Sequence, residues 1–407
     1  MHILYLHQYF VPPDGAGGTR SYEMARRFVA AGHRVTLLTS SAFFPPSYTF
    51  QRRVTTLTID GIQVVVLRVP YRNQMSYVRR LGAFLAFAVS LLPLLRRTRE
   101  VDVVLATSTP LTIAVPGVAA ARMHRCPLVL EVRDLWPELP IAMGALPHPL
   151  LRRAAWALER WAYQHAHHIV ALSPGMKAGI VRTGPPPERV TVVPNACDLT
   201  LFGGPDATGD AFLAAHPALA GGKLFVYTGT LGPVNGVDYL VRLVAAAHRL
   251  DPDVRLLIVG DGRERAAVEA LARQLGVWER GVWIHPPRPK QAMPAVLAAA
   301  DVVCSVFIDL PAMRHNAANK FFDALAAGRP VLLNYEGWQA DLLREAEAGL
   351  IVPVHDAEAA AATVVTWLSD PGRLHRAGQA ARTLAHRFDR DRLTQRMLGV
   401  LEAAVRG

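Results

Sequence analysis

The chain has 407 residues, of which 51% are hydrophobic, and a formal net charge of +11. This length exceeds what one ordinary hydrophobic core accommodates, so we expect two domains of roughly 200 residues each. Three widely spaced cysteines, Cys126, Cys197 and Cys304, argue against a disulfide framework and against a zinc site, and they are typical of a reducing compartment. The N-terminal MHILYLHQYF lacks the basic start and cleavage site of a signal peptide, so it predicts a first strand.

The positive charge is unevenly distributed along the chain. Residues 1–200 contain 22 Lys and Arg against 11 Asp and Glu, whereas residues 201–407 contain 22 of each. A basic half predicts contact with an anionic surface, either membrane or nucleic acid, and chance scatter of surface charge is the alternative. Only four of the 44 basic residues are lysines, so a lysine inside a motif carries more information here than usual.

Short apolar runs with strand character alternate with helical patterns along the chain. The strand-like runs are HILYL (2–6), RVTLLT (34–39), VDVVLAT (101–107), PLVLEV (127–132), HIVALS (168–173), KLFVYTG (223–229), RLLIVG (255–260), DVVCSV (301–306) and PVLLN (330–334). The helical patterns include 18–31, 150–166, 236–249 and 263–275. Continuous apolar strands separated by helices predict α/β domains, each with a parallel sheet covered on both faces. The run 54–69 instead predicts a hairpin that turns at Asp60-Gly61.

The alternation pauses in VVPNACDLTLFGGPDATG, a stretch rich in Gly, Pro and Asp. We therefore predict a domain boundary near residue 200, with an N-terminal domain at 1–200 and a second domain at 201–373. Segment 374–407 is helical and basic-amphipathic, and we expect it to return to the N-terminal domain. Two Rossmann-like, doubly wound domains facing a cleft would bind ligands at the carboxyl ends of their strands.

The segment YVRRLGAFLAFAVSLLPLLRRTR (77–99) places about fifteen apolar residues between pairs of arginines. It is shorter than the roughly 20 residues that a spanning helix needs. Together with the charge asymmetry, it predicts a helix at a membrane interface whose arginines meet anionic headgroups. An ordinary core helix with surface arginines is the alternative.

Two glycine-rich loops each follow a strand and open a helix. Gly17, Gly18 and Thr19 belong to the first, and 229–236 (GTLGPVNG) is the second. Glycines let backbone N–H groups approach a phosphate or sugar oxygen, and the helix start adds partial positive charge. The first loop is not a G-x-G-x-x-G fingerprint, and no acidic residue ends strand two of the first half (TLLTSSAFF), which argues against a dinucleotide site. In RLLIVGDGRER, Asp261 is expected either to cap a helix or to contact a ligand.

The strongest motif is HNAANKFFDALAAGRP (315–330). Asn319 is expected to cap a helix that buries two phenylalanines, and Lys320 and Asp323 share a face of its first turn. The carboxylate could accept both hydroxyls of a ribose, while the lysine and free backbone N–H groups hold a diphosphate. Alternatively, Asp323 complements the helix dipole and Lys320 extends to solvent.

This segment resembles the donor-site motif of the retaining GT-B glycosyltransferases of family 4. AAGHRVTLLTS, ALSPGMKAGIV, VTVVPNACD, GTLGPVNGVDYLV and VGDGRER are similar to other stretches of that family, in the same order and over nearly the whole chain. EVRDLWPELPIAMGAL and NKFFDALAAGRPVLLNYEGWQADLL most resemble its colanic-acid and O-antigen branch, which includes fucosaminyltransferase-like enzymes.

The resemblance implies transfer of a sugar, such as an N-acetylated hexosamine or deoxyhexosamine, with retention and without a metal or other cofactor. It implies a UDP-sugar donor, a lipid-linked saccharide or polysaccharide acceptor, and a cytoplasmic enzyme on the inner face of the membrane. The acceptor would bind to the first domain and the donor to the second. The donor-binding residues implied or proposed are Gly229, Thr230, Asn235, Asp261, Arg288, Lys290, His315, Asn316, Asn319 and Asp323.

The chain departs from the family pattern at several charged positions. The second glutamate of the family motif corresponds to Asp323, and the first falls at His315. The family's loop arginine and lysine correspond to Thr230 and Asn235, so two charges that neutralise the diphosphate are missing. Lys320 remains, and Arg288 or Lys290 is expected to compensate for the missing charges. The His-Asp pair of the first domain corresponds to Arg133 and Asp134. Lys320, Asp134, Arg133 and Glu131 are the candidate catalytic residues, and the last three could equally orient a loop or bind the acceptor.

Three alternatives remain open at this point. A UDP-sugar epimerase would share the architecture but release free product without an acceptor. A catalytically lapsed sugar-binding partner subunit would fit the lost Arg, Lys and His. A nucleic-acid binder would fit the basic first half, but the sequence lacks stacking platforms and any recognised module, so we expect no nucleic-acid partner.

Overall fold

A computed structural model describes residues 1–71, 75–204 and 208–407. The chain forms two compact units. The first contains Met1–Pro194 and Asp391–Gly407, and the second contains Asn195–Arg390. Residues 374–390 therefore belong to the second unit, and only the last helix belongs to the first. Residues 205–207 of the predicted linker lie outside the described residues.

The first unit is built on one eight-stranded sheet with the strand order β3-β4-β2-β1-β5-β6-β7-β8. All neighbouring strands are parallel except β3 and β4, which are antiparallel. The strands are β1 (His2–Leu6), β2 (Arg34–Ser40), β3 (Val54–Ile59), β4 (Ile62–Leu67), β5 (Val103–Thr107), β6 (Leu128–Val132), β7 (His168–Ala171) and β8 (Val190–Val192). The predicted hairpin is confirmed, and its turn residues Asp60 and Gly61 both have positive φ.

Helices cover both faces of this sheet, which is why its central strands are apolar throughout. They are α1 (Arg20–Ala30), α2 (Tyr77–Leu95), α3 (Ala114–His124), α4 (Glu138–Ala142), α5 (Pro149–His165), α6 (Pro174–Arg182) and the C-terminal α16 (Arg390–Arg406). Helix α2 contains Pro93 and is formed by the apolar segment between the arginines. No helix in the described ranges is long and apolar enough to cross a membrane.

The second unit has a six-stranded sheet with the order β11-β10-β9-β12-β13-β14. Numbered from its own first strand, this is the 3-2-1-4-5-6 order of a Rossmann fold, with a switch point between β9 and β12. Its strands are β9 (Lys223–Thr228), β10 (Val254–Val259), β11 (Val282–His285), β12 (Val302–Ser305), β13 (Val331–Leu333) and β14 (Gly349–Ile351). The strands β11 and β14 are short edge strands whose sequences contain too few apolar residues to stand out.

The helices of the second unit lie on both faces of its sheet. They are α7 (Leu199–Phe202), α8 (Asp210–Ala215), α9 (Val237–Leu250), α10 (Arg265–Gln274), α11 (Met293–Ala298), α12 (Asn319–Ala326), α13 (Trp338–Ala346), α14 (Ala357–Leu368) and α15 (Pro371–Ala385). The predicted α/β class, with two parallel-sheet domains of Rossmann type, is confirmed. In such sheets, loops at the carboxyl ends of β9 and β12 are the natural ligand site.

Candidate active site

Lys320 lies at the switch point of the second sheet. Its side chain is buried, and Nζ donates a hydrogen bond of 3.0 Å to the hydroxyl of Tyr227 at the end of β9. The same nitrogen is 4.3 Å from the centre of the Tyr227 ring and 5.2 Å from that of Phe307, just beyond β12. The cation is therefore held by aromatic faces and one hydroxyl, an arrangement that favours an ammonium.

Burial lowers the pKa of Lys320 to about 7, and the neighbouring Cys304 thiol opposes this shift. Among the ion pairs of the described residues, none joins Lys320 to a carboxylate. Loss of hydration is thus not balanced by a fixed negative charge. A buried ammonium without an anionic partner is a strong receptor for an anion such as a diphosphate.

The glycine-rich turn after β9 lies against Lys320. A side-chain atom placed on Gly229, whose φ is +134°, would be 3.5 Å from Cε and 3.8 Å from Nζ of the lysine. These distances are ordinary van der Waals contacts, so glycine is favoured there by its positive φ and not by lack of space. Thr230 follows in an exposed position, and Asn235 closes the loop by donating its backbone N–H to the carbonyl of Gly232 at 2.9 Å.

Asp323 engages a different lysine from the one on its own helix. It is ion-paired with Lys290, which comes from the loop after β11 and whose ammonium also lies 4.9 Å from the ring of Phe202. Arg288 of the same loop stacks over Phe212, 5.3 Å from its centre. The structure therefore joins Lys290 to the carboxylate proposed for ribose, while Arg288 packs on an aromatic ring of α8.

The loop before α12 is fixed by Asn316 rather than by Asn319. Asn316 Oδ1 accepts a hydrogen bond of 3.0 Å from Ala318 N–H, and its amide donates to the carbonyl of Met313. The Asn316 carbonyl in turn accepts from the Trp338 indole at 2.7 Å. Asn319 is the first residue of α12 and makes no side-chain cap, so the predicted capping role is wrong. His315 is half-buried and directly precedes Asn316 at the start of this loop.

Asp261 does not cap a helix either. Helix α10 begins four residues later, at Arg265, and the Asp261 side chain is exposed. Its backbone carbonyl accepts a hydrogen bond of 3.0 Å from the N–H of Leu231. This bond ties the turn after β10 to the turn after β9, so Asp261 borders the Gly229 loop.

In the first unit, Glu131 of β6 is buried in a network of hydrogen bonds. It accepts 2.8 Å and 2.9 Å contacts from the Arg20 guanidinium and a 2.9 Å bond from the Thr107 hydroxyl. Arg20 also donates to the carbonyls of Val193, at 2.8 Å, and Pro194. This network fixes the start of α1 to the end of the sheet, so Glu131 is placed to hold the backbone.

Arg133 and Asp134 follow β6 and are half-buried. The Arg133 guanidinium lies 3.5 Å from Nε2 of His7, whose Nδ1 is 2.8 Å from the Ser21 hydroxyl. Burial, followed by the charge of Arg133, holds the pKa of His7 well below its usual value, so the ring is neutral. Asp134 accepts a 2.7 Å hydrogen bond from the Thr109 hydroxyl.

The first glycine loop lies after β1 and leads into α1. Gly17 is exposed and has a φ of +140°, a backbone conformation that only glycine adopts without strain. Gly18 is half-buried, and Thr19 is buried at the position before the helix, without a side-chain cap. Backbone N–H groups at this helix start are therefore the polar groups available for a ligand.

Two family models cover most of the chain. A "Glycosyl transferase 4-like domain" matches residues 15–196, and "Glycosyl transferases group 1" matches residues 211–384. A D-inositol 3-phosphate glycosyltransferase of Xylanimonas cellulosilytica is 32% identical over 301 residues, covering 71% of this chain and 69% of that protein. The chain belongs to the family 4-like GT-B glycosyltransferases.

Two further comparisons agree with this assignment. WcaI of Escherichia coli strain K12, named for colanic acid biosynthesis, is 24% identical to this chain over 299 residues. The match covers 70% of this chain and 71% of WcaI. The crystal structure of Anabaena Alr3699/HepE in complex with UDP-glucose matches the fold with a TM-score of 0.72 at 19% identity, over 99% of this chain and 100% of that chain. The GT-B fold prediction is confirmed, and the protein is a nucleotide-sugar glycosyltransferase of group 1.

Several side chains that contact the predicted site residues were not predicted from the sequence. Tyr227 and Phe307 contact Lys320 with their rings. Tyr227 could have been found as the aromatic residue two positions before the glycine turn that ends its strand. His7, directly after β1, supplies an imidazole next to Arg133, where the sequence had indicated that none remained. The buried role of Arg20 has no local sequence signal, because its partners are remote along the chain.

Proposed function

We propose that this glycosyltransferase transfers a sugar from a UDP-sugar to a saccharide acceptor, with retention of configuration and without a metal. The observation that carries the proposal is the buried Lys320 ammonium, which lies at the switch point between β9 and β12 against the Gly229 turn. This is where an open parallel sheet binds its ligand. A bound anion would supply the negative counter-charge for this lysine that no ion pair of the described residues provides.

The leaving diphosphate is the group that these residues would stabilise. Negative charge develops on it as its bond to the anomeric carbon breaks, and fixed positive groups that meet this charge lower the barrier. Lys320 in its protonated form, which a bound diphosphate favours, supplies a full charge. The first N–H groups of α12 supply partial charge at the same end of the helix. We infer that Asp323, which is ion-paired with Lys290, accepts the ribose hydroxyls.

UDP is proposed as the carrier and a lipid-linked saccharide or polysaccharide as the acceptor. The first choice is supported by the HepE structure, which is a complex with UDP-glucose. The second is supported by WcaI, whose name refers to colanic acid biosynthesis. A second acceptor class is a phosphorylated cyclitol, which the name of the 32% identical relative favours. Basic side chains of the first unit would suit either a phosphorylated acceptor or a lipid diphosphate.

We also propose that the enzyme works in the cytoplasm at the inner membrane face, bound through α2. Leu85, Val89 and Leu92 lie on one face of this helix and are 51%, 64% and 37% exposed. Exposed arginines, Arg79 and Arg96, lie near the two ends of the stripe. Apolar contact flanked by cations is the pattern of an interfacial helix on anionic lipid.

A donor panel tests the proposal. Thermal unfolding is followed with UDP, GDP, ADP and dTDP and their common sugars, because a ligand of the native state raises the melting temperature by mass action. Uridine ligands should give the largest increase, and transfer of labelled sugar to lipid-linked saccharide or to inositol phosphate identifies the acceptor. Stabilisation by UDP-sugars without transfer to any acceptor would indicate a lapsed sugar-binding subunit. No stabilisation by any nucleotide would contradict the donor assignment.

A further inference from the structure

We propose that Tyr227 is the positioning residue for the donor diphosphate, because its single hydroxyl fixes both the Lys320 ammonium and the backbone of the Gly229–Thr230 turn. The inference rests on the proposed donor site and adds a residue that the sequence motif does not contain.

The hydrogen bonds around the Tyr227 hydroxyl have only one consistent direction. An ammonium can only donate, so the hydroxyl oxygen accepts from Lys320 Nζ at 3.0 Å. The hydroxyl proton is then directed at the Thr230 carbonyl, 2.9 Å away. Burial raises the pKa of Tyr227, which keeps that proton in place. One side chain thus sets the distance between the lysine and the turn that would meet a phosphate.

Among the described residues, no carboxylate forms an ion pair with Lys320 that could replace this hydroxyl. The titratable groups that contact or influence the lysine there are Tyr227 from β9 and the fully buried Cys304 from β12. Asp323, on the same helix, is paired with Lys290, and Asp198, before α7, is paired with Arg390. Arg382 of α15 lies beside Gly328, at the opposite end of α12.

This arrangement makes nucleotide binding depend on the protonation of Lys320. Burial lowers the pKa of Lys320 to about 7, so part of the free enzyme carries a neutral amine near neutral pH. A bound diphosphate favours the charged form, so binding should take up a proton. The hydroxyl of Tyr227 also favours the charged form by accepting its hydrogen bond, and its removal should shift the protonation of Lys320 to lower pH.

The test is UDP binding by the full-length enzyme and its Tyr227→Phe variant between pH 6 and pH 8.5, measured by calorimetry in buffers of different ionisation enthalpy. For the wild type we expect proton uptake above pH 7. For Tyr227→Phe we expect affinity about tenfold below wild type at pH 8, with the ratio returning towards one at pH 6, since a lost hydrogen bond to a charge has about this size. Using the ratio at each pH removes the titration of UDP itself.

Tyr239→Phe is the matched control, since it removes a buried hydroxyl of the same unit that bonds a backbone carbonyl, that of Pro353, at 2.6 Å. Its pH profile should be that of the wild type. If Tyr227→Phe loses the same factor in affinity at every pH, Tyr227 has a structural role only and does not affect the protonation of Lys320. That result would overturn the inference. UDP binding without proton uptake would also overturn it, while leaving the proposed function intact. Absence of UDP binding by the wild type at all pH values would instead overturn the donor assignment, and the inference with it.

Discussion

Asp323 is ion-paired with Lys290, from the loop after β11, and not with Lys320, three positions earlier on the same helix. The two lysines therefore have separate contacts: Lys290 binds the Asp323 carboxylate, and Lys320 lies against the Gly229 turn. We expect a different effect on the enzyme when each contact is removed.

If Asp323 accepts ribose hydroxyls, Asp323→Ala should remove the preference of the enzyme for ribose. We expect the wild type to bind UDP about tenfold more tightly than 2′-deoxy-UDP, because a hydroxyl bound to a carboxylate contributes roughly 1.5–3 kcal/mol. In Asp323→Ala the two affinities, measured by calorimetry, should become nearly equal. Lys290→Met, which removes the ion pair but keeps the carboxylate, should keep a preference for UDP. A preference that persists in Asp323→Ala would remove this residue from the ribose site.

Replacement of Lys320 by methionine should separate activity from stability. Lys320→Met keeps the length of the side chain but removes the ammonium, so we expect the rate of sugar transfer to fall by about 10²–10³, as for other groups that stabilise developing charge. The free energy of unfolding should stay unchanged or rise by about 1–4 kcal/mol, because an apolar thioether side chain replaces a buried amine that is costly to desolvate. Transfer assays and urea unfolding measure the two effects. Wild-type turnover in Lys320→Met would contradict the role of this lysine at the diphosphate.

The exposed stripe on α2 predicts binding to anionic membranes. Val89→Glu places a negative charge at the most exposed apolar residue of the stripe, and the variant should no longer sediment with vesicles that contain phosphatidylglycerol. The control is Leu250→Glu, which changes a leucine of the second unit that is 60% exposed. Equal retention of both variants on vesicles would show that α2 is not the membrane-binding element.

The buried pair between Arg20 and Glu131 should be a large contributor to the stability of the first unit. Glu131→Ala leaves the guanidinium buried without a counter-charge, so we expect the free energy of unfolding to fall by about 3–5 kcal/mol. The exposed pair between Arg34 and Glu100 is the control, and Glu100→Ala should cost no more than about 1 kcal/mol. Denaturant unfolding compares the two variants. A near-zero effect of Glu131→Ala would mean that the network does not fix the backbone as we infer.

Glu159 on α5 should make the stability of the protein fall as the pH rises. Burial raises the pKa of Glu159 to about 7, from an ordinary value of 4.5. The folded state therefore binds a proton that the unfolded state has already released, and this contribution is lost between pH 4.5 and about pH 7. Glu159→Gln should be more stable than the wild type by roughly 2–3 kcal/mol at pH 8, and close to it at pH 4.5. Glu188→Gln, at an exposed position of the same unit, should show no such difference in thermal or urea unfolding.

Features of this protein that depend on neighbouring residues could be predicted from the amino-acid sequence. The apolar runs predicted parallel sheets, and Asp60-Gly61 predicted the hairpin. The 315–330 motif predicted a helix that carries Lys320 and Asp323 in its first turn. These succeed because strand and turn preferences, and the spacing of side chains on one helix, are local properties of the chain. Even so, the predicted cap at Asn319 is wrong, because Asn316, three residues earlier, makes the side-chain hydrogen bond that fixes the start of α12.

The partners of the charged groups could not be predicted from the sequence, because they depend on how distant segments pack together. Lys320 meets Tyr227 across 93 residues of chain, and Arg20 meets Glu131 across 111. Such pairs form because the strand order places the ends of distant strands side by side, and no pattern within one segment encodes which side chain arrives there. The low dielectric of the buried site then sets the protonation of Lys320, and burial is a property of the folded chain alone.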